Sequence, residues 1–376
     1  MFLDDETKIS ITPEAVPESA TPFYSGKRAL NLRMQRMRQW SRIKVLLAAA
    51  LAFAAGFWWN HPTVPTVKSV ESSVGEPAWF KTGAAKPRTM GVEFSEGELV
   101  PLKGGIYEMG DALDGLKDAQ LHQVQVSPFQ IGKHEVTLAF WERVMSWGLD
   151  HGYTDLCPAM SKGENHPVYG VSWDDAVKWC NALSEMEMRI PCYYTDADRK
   201  LVLRTAAVDI HNEHVRWDAD GYRLPTEAEW EMAARGALAG KRFPWGDEIS
   251  HQDANYSGAT DLPYDKSQRA GPAAELASSL PYTAPTGSFS PNSFGLHDMA
   301  GNVAEWCWDF YDMHHGSPSA AVFGVLKDPR GPDTGMTRVV RGGSWRHQAS
   351  EARCASRFDL PGMAPSPHTG FRVVRR

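Results

Sequence analysis

The residues with the most capacity for chemistry in this chain are its thiols and imidazoles. Cys157, Cys180, Cys192, Cys307 and Cys354 are the full set of cysteines, and no two stand at CxxC spacing. That argues against a zinc ribbon or a thioredoxin-like motif. Five is an odd number with no framework-like spacing, so the set reads as mostly buried thiols, with one disulfide left open. His211-Asn212-Glu213-His214 is the densest imidazole cluster and His314-His315 the next; both read as decoration on solvated loops. His347 and Cys354 combine an imidazole with a soft sulfur, which suits copper or zinc. Without metal-ligand spacing, a surface histidine and a buried thiol is the stronger reading of that pair.

Such groups need a scaffold. The chain has 376 residues, 42% hydrophobic and 23% charged, which is ordinary for a globular protein. Its 14 Trp, 32 Gly and 25 Pro are less ordinary. Aromatic rings fill a core with few regular layers, while Gly and Pro shape the turns around it. A formal net charge of -7 supplies no field that would gather nucleic acid, and no nucleic-acid motif is present.

Charge is placed unevenly. Lys27, Arg28, Arg33, Arg36, Arg38, Arg42 and Lys44 form a basic run with no acidic residue among them. Residues 45–59 follow as an unbroken apolar segment ending in Phe57-Trp58-Trp59. A helix of that length is short for a hydrocarbon core of roughly 30 Å, but Arg42 and Lys44 can snorkel at one end and the Trp pair can sit at the other interface. A cleaved signal peptide and a buried soluble helix are the alternatives. The basic flank favours a single-pass anchor with its N-terminus cytoplasmic and everything after His61 outside, periplasmic or extracellular. This divides the chain into a tail (1–44), a transmembrane anchor (45–59), a Pro-, Val-, Ser- and Thr-rich linker (60–91) and a folded domain (92–376).

Within the domain, residues 105–110 read as a strand and Val124-Gln125-Val126 alternates as a half-buried strand should. Thr137 is placed to cap a helix carrying Phe140, Trp141, Val144 and Met145, with Gly148 as its stop. Ser172 caps a second helix that buries Trp173, Ala176, Val177, Cys180 and Leu183 and ends by Pro191. Thr226-Glu227-Ala228-Glu229 is a capping box for a third, closed by Gly236. Beyond Gly236 periodic signals are few. Short helices followed by a long irregular half predict an α+β domain rather than a doubly wound sheet.

A set of words runs through this domain in order: Gly104-Gly105-x-x-x-Met109-Gly110, Glu135-Val136-Thr137, Pro167-Val168, Val171-Ser172-Trp173, Gly221-Tyr222-Arg223-Leu224-Pro225, Pro244-Trp245-Gly246, Gly301-Asn302-Val303-Ala304-Glu305-Trp306, Arg341-Gly342-Gly343-Ser344-Trp345 and Gly370-Phe371-Arg372. The ordered set resembles the formylglycine-generating enzyme, or sulfatase-modifying factor, family. The resemblance implies an elaborated relative of the C-type lectin fold with little regular secondary structure. It also implies an activity, oxidation of a sulfatase cysteine to formylglycine by oxygen and a copper ion held by two thiolates. Counted from Arg341-Gly342-Gly343-Ser344, those thiolate positions fall at or near His347 and Ala352, so copper is not expected. Cys354 matches a structural cysteine of the family better, and the family's tryptophan before Glu305 is replaced by Ala304. Ser344 alone matches the active site itself.

The resemblance further implies structural calcium. One site would use the side chains of Asp298 and Glu305 with the carbonyls of Gly301 and Val303; oxygen ligands suit this hard cation. A second would use Asn255 and the carbonyls of Tyr256 and Leu280, although its acidic ligand has become Ser278. A hydrogen-bonded turn without an ion is the alternative for Asp298 and Glu305. The Tyr, Trp and Arg of the final third would build either a groove for an extended peptide or glycan, or core aromatics and braces for carbonyls. The expectation is a membrane-anchored, extracytoplasmic pseudoenzyme of bacterial type. It would bind a protein or glycan partner, with Ser344, His347 and Cys354 as the positions to test for surviving catalysis, including a relocated metal-dependent oxidation.

Overall fold

The computed structural model describes residues 99–314 and 324–376. The tail, anchor and linker expected over 1–44, 45–59 and 60–91 lie outside the described residues, as does His315. Among the described residues no helix is long and apolar enough to cross a membrane.

Among the described residues, ten short strands, three α-helices and one 3-10 turn (Asn212–His214) make up the regular structure. In chain order they are β1 (Leu99–Leu102), β2 (Gly105–Met109), β3 (His122–Val126), β4 (Phe129–Gly132), α1 (Leu138–Asp150), α2 (Trp173–Met186), α3 (Glu227–Arg235), β5 (Ala304–Phe310), β6 (Leu326–Lys327), β7 (Arg338–Arg341), β8 (Arg357–Leu360), β9 (Thr369–Gly370) and β10 (Val374–Arg375). They form three small sheets ordered β1-β4-β10, β2-β3-β6 and β8-β7-β5-β9. The pairings β3–β6 and β5–β9 are parallel and the rest antiparallel. β10 pairs with β4 through Val374 and Ile131, and β1 pairs with the same strand, so the two ends of the domain share one sheet. The α+β expectation holds.

The caps form as their side chains require. Thr137, Ser172 and Thr226 each accept from an amide in the first turn of their helix, and Thr226 with Glu229 completes the capping box. Gly236 closes α3 at φ 54. Gly148 does not stop α1, which runs on to Asp150. Its missing side chain instead admits Tyr153, whose Cβ would lie 3.3 Å from a Cβ at Gly148. α2 ends at Met186, short of Pro191, and buries far more than the expected stripe.

With so few ladders, tryptophans tie the loops together by both body and tip. Trp173 Nε1 donates to the Cys307 carbonyl, Trp179 to Trp141 and Trp306 to Val171, all buried. Trp141 and Trp179 stack at 5.7 Å, and Phe371 meets both edge-on. Buried arginines do the same for carbonyls. Arg341 donates to Cys354, Ala355 and Ser356, and Arg338 to Trp308 and Ile210. The aromatic and basic residues of the final third are therefore core fillers and braces.

Candidate functional site

The turn after β7 carries the positions that the resemblance marks as catalytic. Gly342 and Gly343 lie at φ 85 and 67, where side chains are strained. A Cβ on Gly343 would meet the Glu351 carbonyl oxygen at 2.9 Å, so glycine lets the chain fold back onto 351–352. Ser344 is buried there, with its Oγ 3.0 Å from His347 Nδ1. The His347 ring stacks on Phe358 at 5.2 Å and meets His368 edge-on at 4.9 Å. The Ala304 amide donates to the His368 carbonyl at 2.9 Å, which brings the tryptophan-to-alanine position beside the same cluster. Burial pushes the His347 pKa down, and burial followed by the neighbouring His347 pushes that of His368 to about 4. Both imidazoles are thus neutral at pH 7. An NMR titration should show His368 protonating near pH 4; titration above pH 6.5 would contradict this placement.

Cys354 is elsewhere. Its amide donates to Arg242, its carbonyl accepts from Arg341, and its thiol is packed in the cluster with Trp230, Val339 and Cys307. Burial pushes the thiol up to about 12, against the pull of Arg235. His347 and Cys354 therefore do not share surroundings. No disulfide joins the five cysteines. Cys180 and Cys192 are both buried in the main core; burial pushes both thiols up, Cys192 to about 12, and Cys192 adds to the push on Cys180. A copper site of two thiolates needs a pair of sulfurs, and the positions expected to supply them, at or near His347 and Ala352, carry none, so the residues there do not fit that metal. Nor is the 211–214 cluster a solvated loop. The His211 amide donates to His214 Nδ1, and Asn212 Oδ1 accepts from Trp308 Nε1, so it is a half-buried turn holding the core. His314 is exposed.

The loop expected to hold calcium is built differently from a simple turn. Asp298 and Asn302 lie at φ 57 and 59, with Gly301 at φ 84 between them, so the backbone curls tightly. A Cβ on Gly301 would stand 2.2 Å from the Asn255 carbonyl oxygen. This close approach joins the two expected ion loops, whose backbones form a bridge at Asn255 and Gly301. Glu305 accepts from Arg372 through both oxygens at 2.7 Å and from Trp230 Nε1 at 2.8 Å. Glu135 accepts from Asn302 Nδ2 at 2.7 Å and from the Val303 amide at 3.0 Å. Burial, then Asp298 and Glu305, push the Glu135 carboxyl up, and burial pushes Asp298 to about 6.

Three buried carboxylates thus face one guanidinium. Asp298 Oδ2 accepts from the Gly287 amide at 2.7 Å, but Asp298 Oδ1 and Asn255 Oδ1 are buried with no hydrogen-bond partner. Orphaned oxygens beside surplus negative charge fit a hard divalent cation. Asp298, Glu305 and the Gly301 and Val303 carbonyls would hold one ion, and Asn255 with the Tyr256 and Leu280 carbonyls a second. Among the described residues there is no group of three or more His, Cys, Asp or Glu side chains that could hold a metal, so backbone oxygens would have to contribute.

The profile of the sulfatase-modifying factor enzyme 1-like domain matches residues 84–376. The chain belongs to the sulfatase-modifying factor family. Among family relatives, the Paenibacillus barcinonensis chaperone protein LppX is 32% identical over 293 residues, 74% of this chain and 89% of LppX. The Thermomonospora curvata formylglycine-generating enzyme is 32% identical over 321 residues, 77% of this chain and 96% of the enzyme. Chlamydia pneumoniae serine/threonine-protein kinase pkn1 is 38% identical over 299 residues, but they are 38% of the kinase. Treponema denticola variable protein 1 superposes with a TM-score of 0.57 at 26% identity, over 74% of this chain and 94% of that one. CarF does so at 0.52 and 27%, over 74% and 97%.

Sequence reasoning missed Glu135, Arg372, Asn302 and His368. Glu135 and Arg372 stood inside family words, and a buried pair of opposite charge was readable from neither word alone. Asn302 joins the two loops through Asn255 Nδ2 and the Ala284 amide, which its Oδ1 accepts at 3.1 and 2.9 Å. His368 carries no signal beyond its type.

Proposed function

We propose that this sulfatase-modifying-factor protein is an extracytoplasmic binding or scaffold module, anchored through residues 45–59, that does not generate formylglycine by the copper–thiolate route. One observation supports this most: counted from Arg341-Gly342-Gly343-Ser344, the two thiolate positions fall at or near His347 and the buried Ala352, and the Cys354 thiol nearby in sequence is locked in the core. Similarity to LppX, a chaperone protein, agrees with a binding role on this fold. The partner is an exported protein or a glycan. Coexpression with a sulfatase-derived cysteine peptide should leave its cysteine intact by mass spectrometry; an aldehyde product refutes the reading.

Calcium is part of the proposal, as a brace for the Asp298–Glu305 and Asn255 loops. Adding calcium to chelator-treated protein should raise Tm; at a hundredfold excess over Kd the gain is about 2.7 kcal/mol. Asp298→Asn should remove most of that gain, whereas a Tm indifferent to calcium contradicts the brace. A second reading, an oxidase of the formylglycine-generating type or another metal-dependent oxidation, draws on the convergence of Ser344, His347 and His368 at the former active position.

A further inference from the structure

We propose that a notch between the turn after β6 and Arg376 binds one acidic side chain of a protein partner. The notch is an open void of about 10 Å³, with Trp217, Arg223, Glu229, Asp328, Arg330 and Arg376 among its lining residues. That is on the order of one water molecule, too little to enclose a metabolite. It suffices for one carboxylate oxygen presented from outside. No lining residue belongs to the Ser344–His347 turn or to the calcium loops, so the inference stands independently of the function proposed above.

The turn that carries Arg330 is held in place by its neighbours. The Asp328 amide donates to the Gln125 carbonyl at 2.7 Å, and the Asp328 carboxylate accepts from the Ser127 amide and hydroxyl at 2.6 and 2.7 Å. Pro329 and Pro332 fix φ at two positions of the turn. Gly331 lies at φ 72, and a Cβ there would stand 2.8 Å from that of Asp309, so the turn is pressed against β5. On this frame the Arg330 guanidinium lies 4.2 Å over the Trp217 ring. Stacking occupies the flat face of the cation and leaves its N–H edge directed elsewhere.

That edge is unclaimed: among the described residues Arg330 makes no hydrogen bond or ion pair, only the stack on Trp217. The carboxylates nearby are spent. Glu229 accepts from Arg223 through both oxygens at 2.6 Å and from the Thr226 amide at 2.9 Å, and Asp328 is held by Ser127. Arg376 Nη2 reaches Asp328 Oδ2 only at 3.8 Å, beyond hydrogen-bond distance. Three guanidiniums thus share the notch with two carboxylates, which leaves one positive charge in surplus. Burial, then the charges of Arg376 and Arg223, pull the Arg330 pKa below its ordinary value, the mark of a site short of negative charge. A planar guanidinium edge with a second cation beside it matches a carboxylate, and arginine is a frequent anchor of protein interfaces. The chain's net charge of -7 disfavours nucleic acid as the occupant.

The test is calorimetric titration of the full chain with acetyl-hexaglutamate amide and with its neutral counterpart, acetyl-hexaglutamine amide. The acidic peptide should bind at least about tenfold more tightly, the scale of one charge-assisted contact. Arg330→Gln should erase that preference, and Arg376→Gln, at a half-exposed position, should weaken it with Tm unchanged. Arg269→Gln, an exposed arginine outside the notch, should leave it intact, which separates this site from general charge attraction. Inorganic phosphate at the peptide's concentration should not displace it. Equal affinities for the two peptides, no binding of either, full retention by Arg330→Gln, an equal loss in Arg269→Gln, or displacement by that phosphate would each overturn the proposal.

Discussion

Arg372→Met is expected to destabilise the domain by about 3–5 kcal/mol, because it strands buried carboxylates without a cation. Arg372 is fully buried and gives Glu305 two hydrogen bonds through Nε and Nη2. The same side chain also braces the carbonyls of Gly132 and His297, at 3.0 and 2.9 Å, and so ties the β4 end to the Asp298–Glu305 loop. Without it, Glu305, Glu135 and Asp298 are left together at low dielectric. Calcium should then rescue more of the lost stability than it adds to the parent, since it supplies the missing positive charge. Thermal unfolding of parent and variant, each with calcium and with chelator, measures both effects. Equal calcium responses in the two proteins would break the link between Arg372 and the loop.

Gly301→Ala should be nearly as damaging, for a steric reason. At φ 84 an alanine is strained by roughly 1–3 kcal/mol. Its Cβ would also stand 2.2 Å from the Asn255 carbonyl oxygen, a backbone atom with little room to retreat. Either the bridge between the two loops opens or the loop itself unwinds, and the Asn302 amide loses its 2.7 Å bond to that carbonyl. A total loss of about 3 kcal/mol or more follows once overpacking is added. The calcium response should fall with it. Denaturant unfolding read alongside a calcium titration checks this, and a variant with parental stability and calcium affinity would show that the close approach is not required.

Much of the scaffold was legible because short-range chemistry specified it. Thr137, Ser172 and Thr226 announced their helices, and the alternation of Val124 and Val126 announced β3. Gly148 misled, since a small residue chosen for packing resembles one chosen for a helix end. The site was only partly readable. Asp298, Glu305 and Asn255 were named through the resemblance; the structure adds that Asp298 and Asn255 each bury an unpaired Oδ1, while both Glu305 oxygens are taken by Arg372 and Trp230. Glu135 and Arg372 remained hidden because their partners lie 168 and 67 positions away in the chain, at Val303 and Glu305, and a sequence carries no such pairings on its face. The converse holds for His347 and Cys354. They are close in sequence, yet one faces His368 and the other the core around Trp230.

Elemental analysis of the purified full chain after exposure to copper(I) and calcium tests the main assertion most directly. The account predicts bound calcium and no copper near one ion per chain, because the count from Arg341-Gly342-Gly343-Ser344 puts the two expected thiolates at or near His347 and Ala352, where no cysteine stands. Stoichiometric copper, retained by the parent and lost on His347→Ala, would contradict it and return this domain to oxidative chemistry.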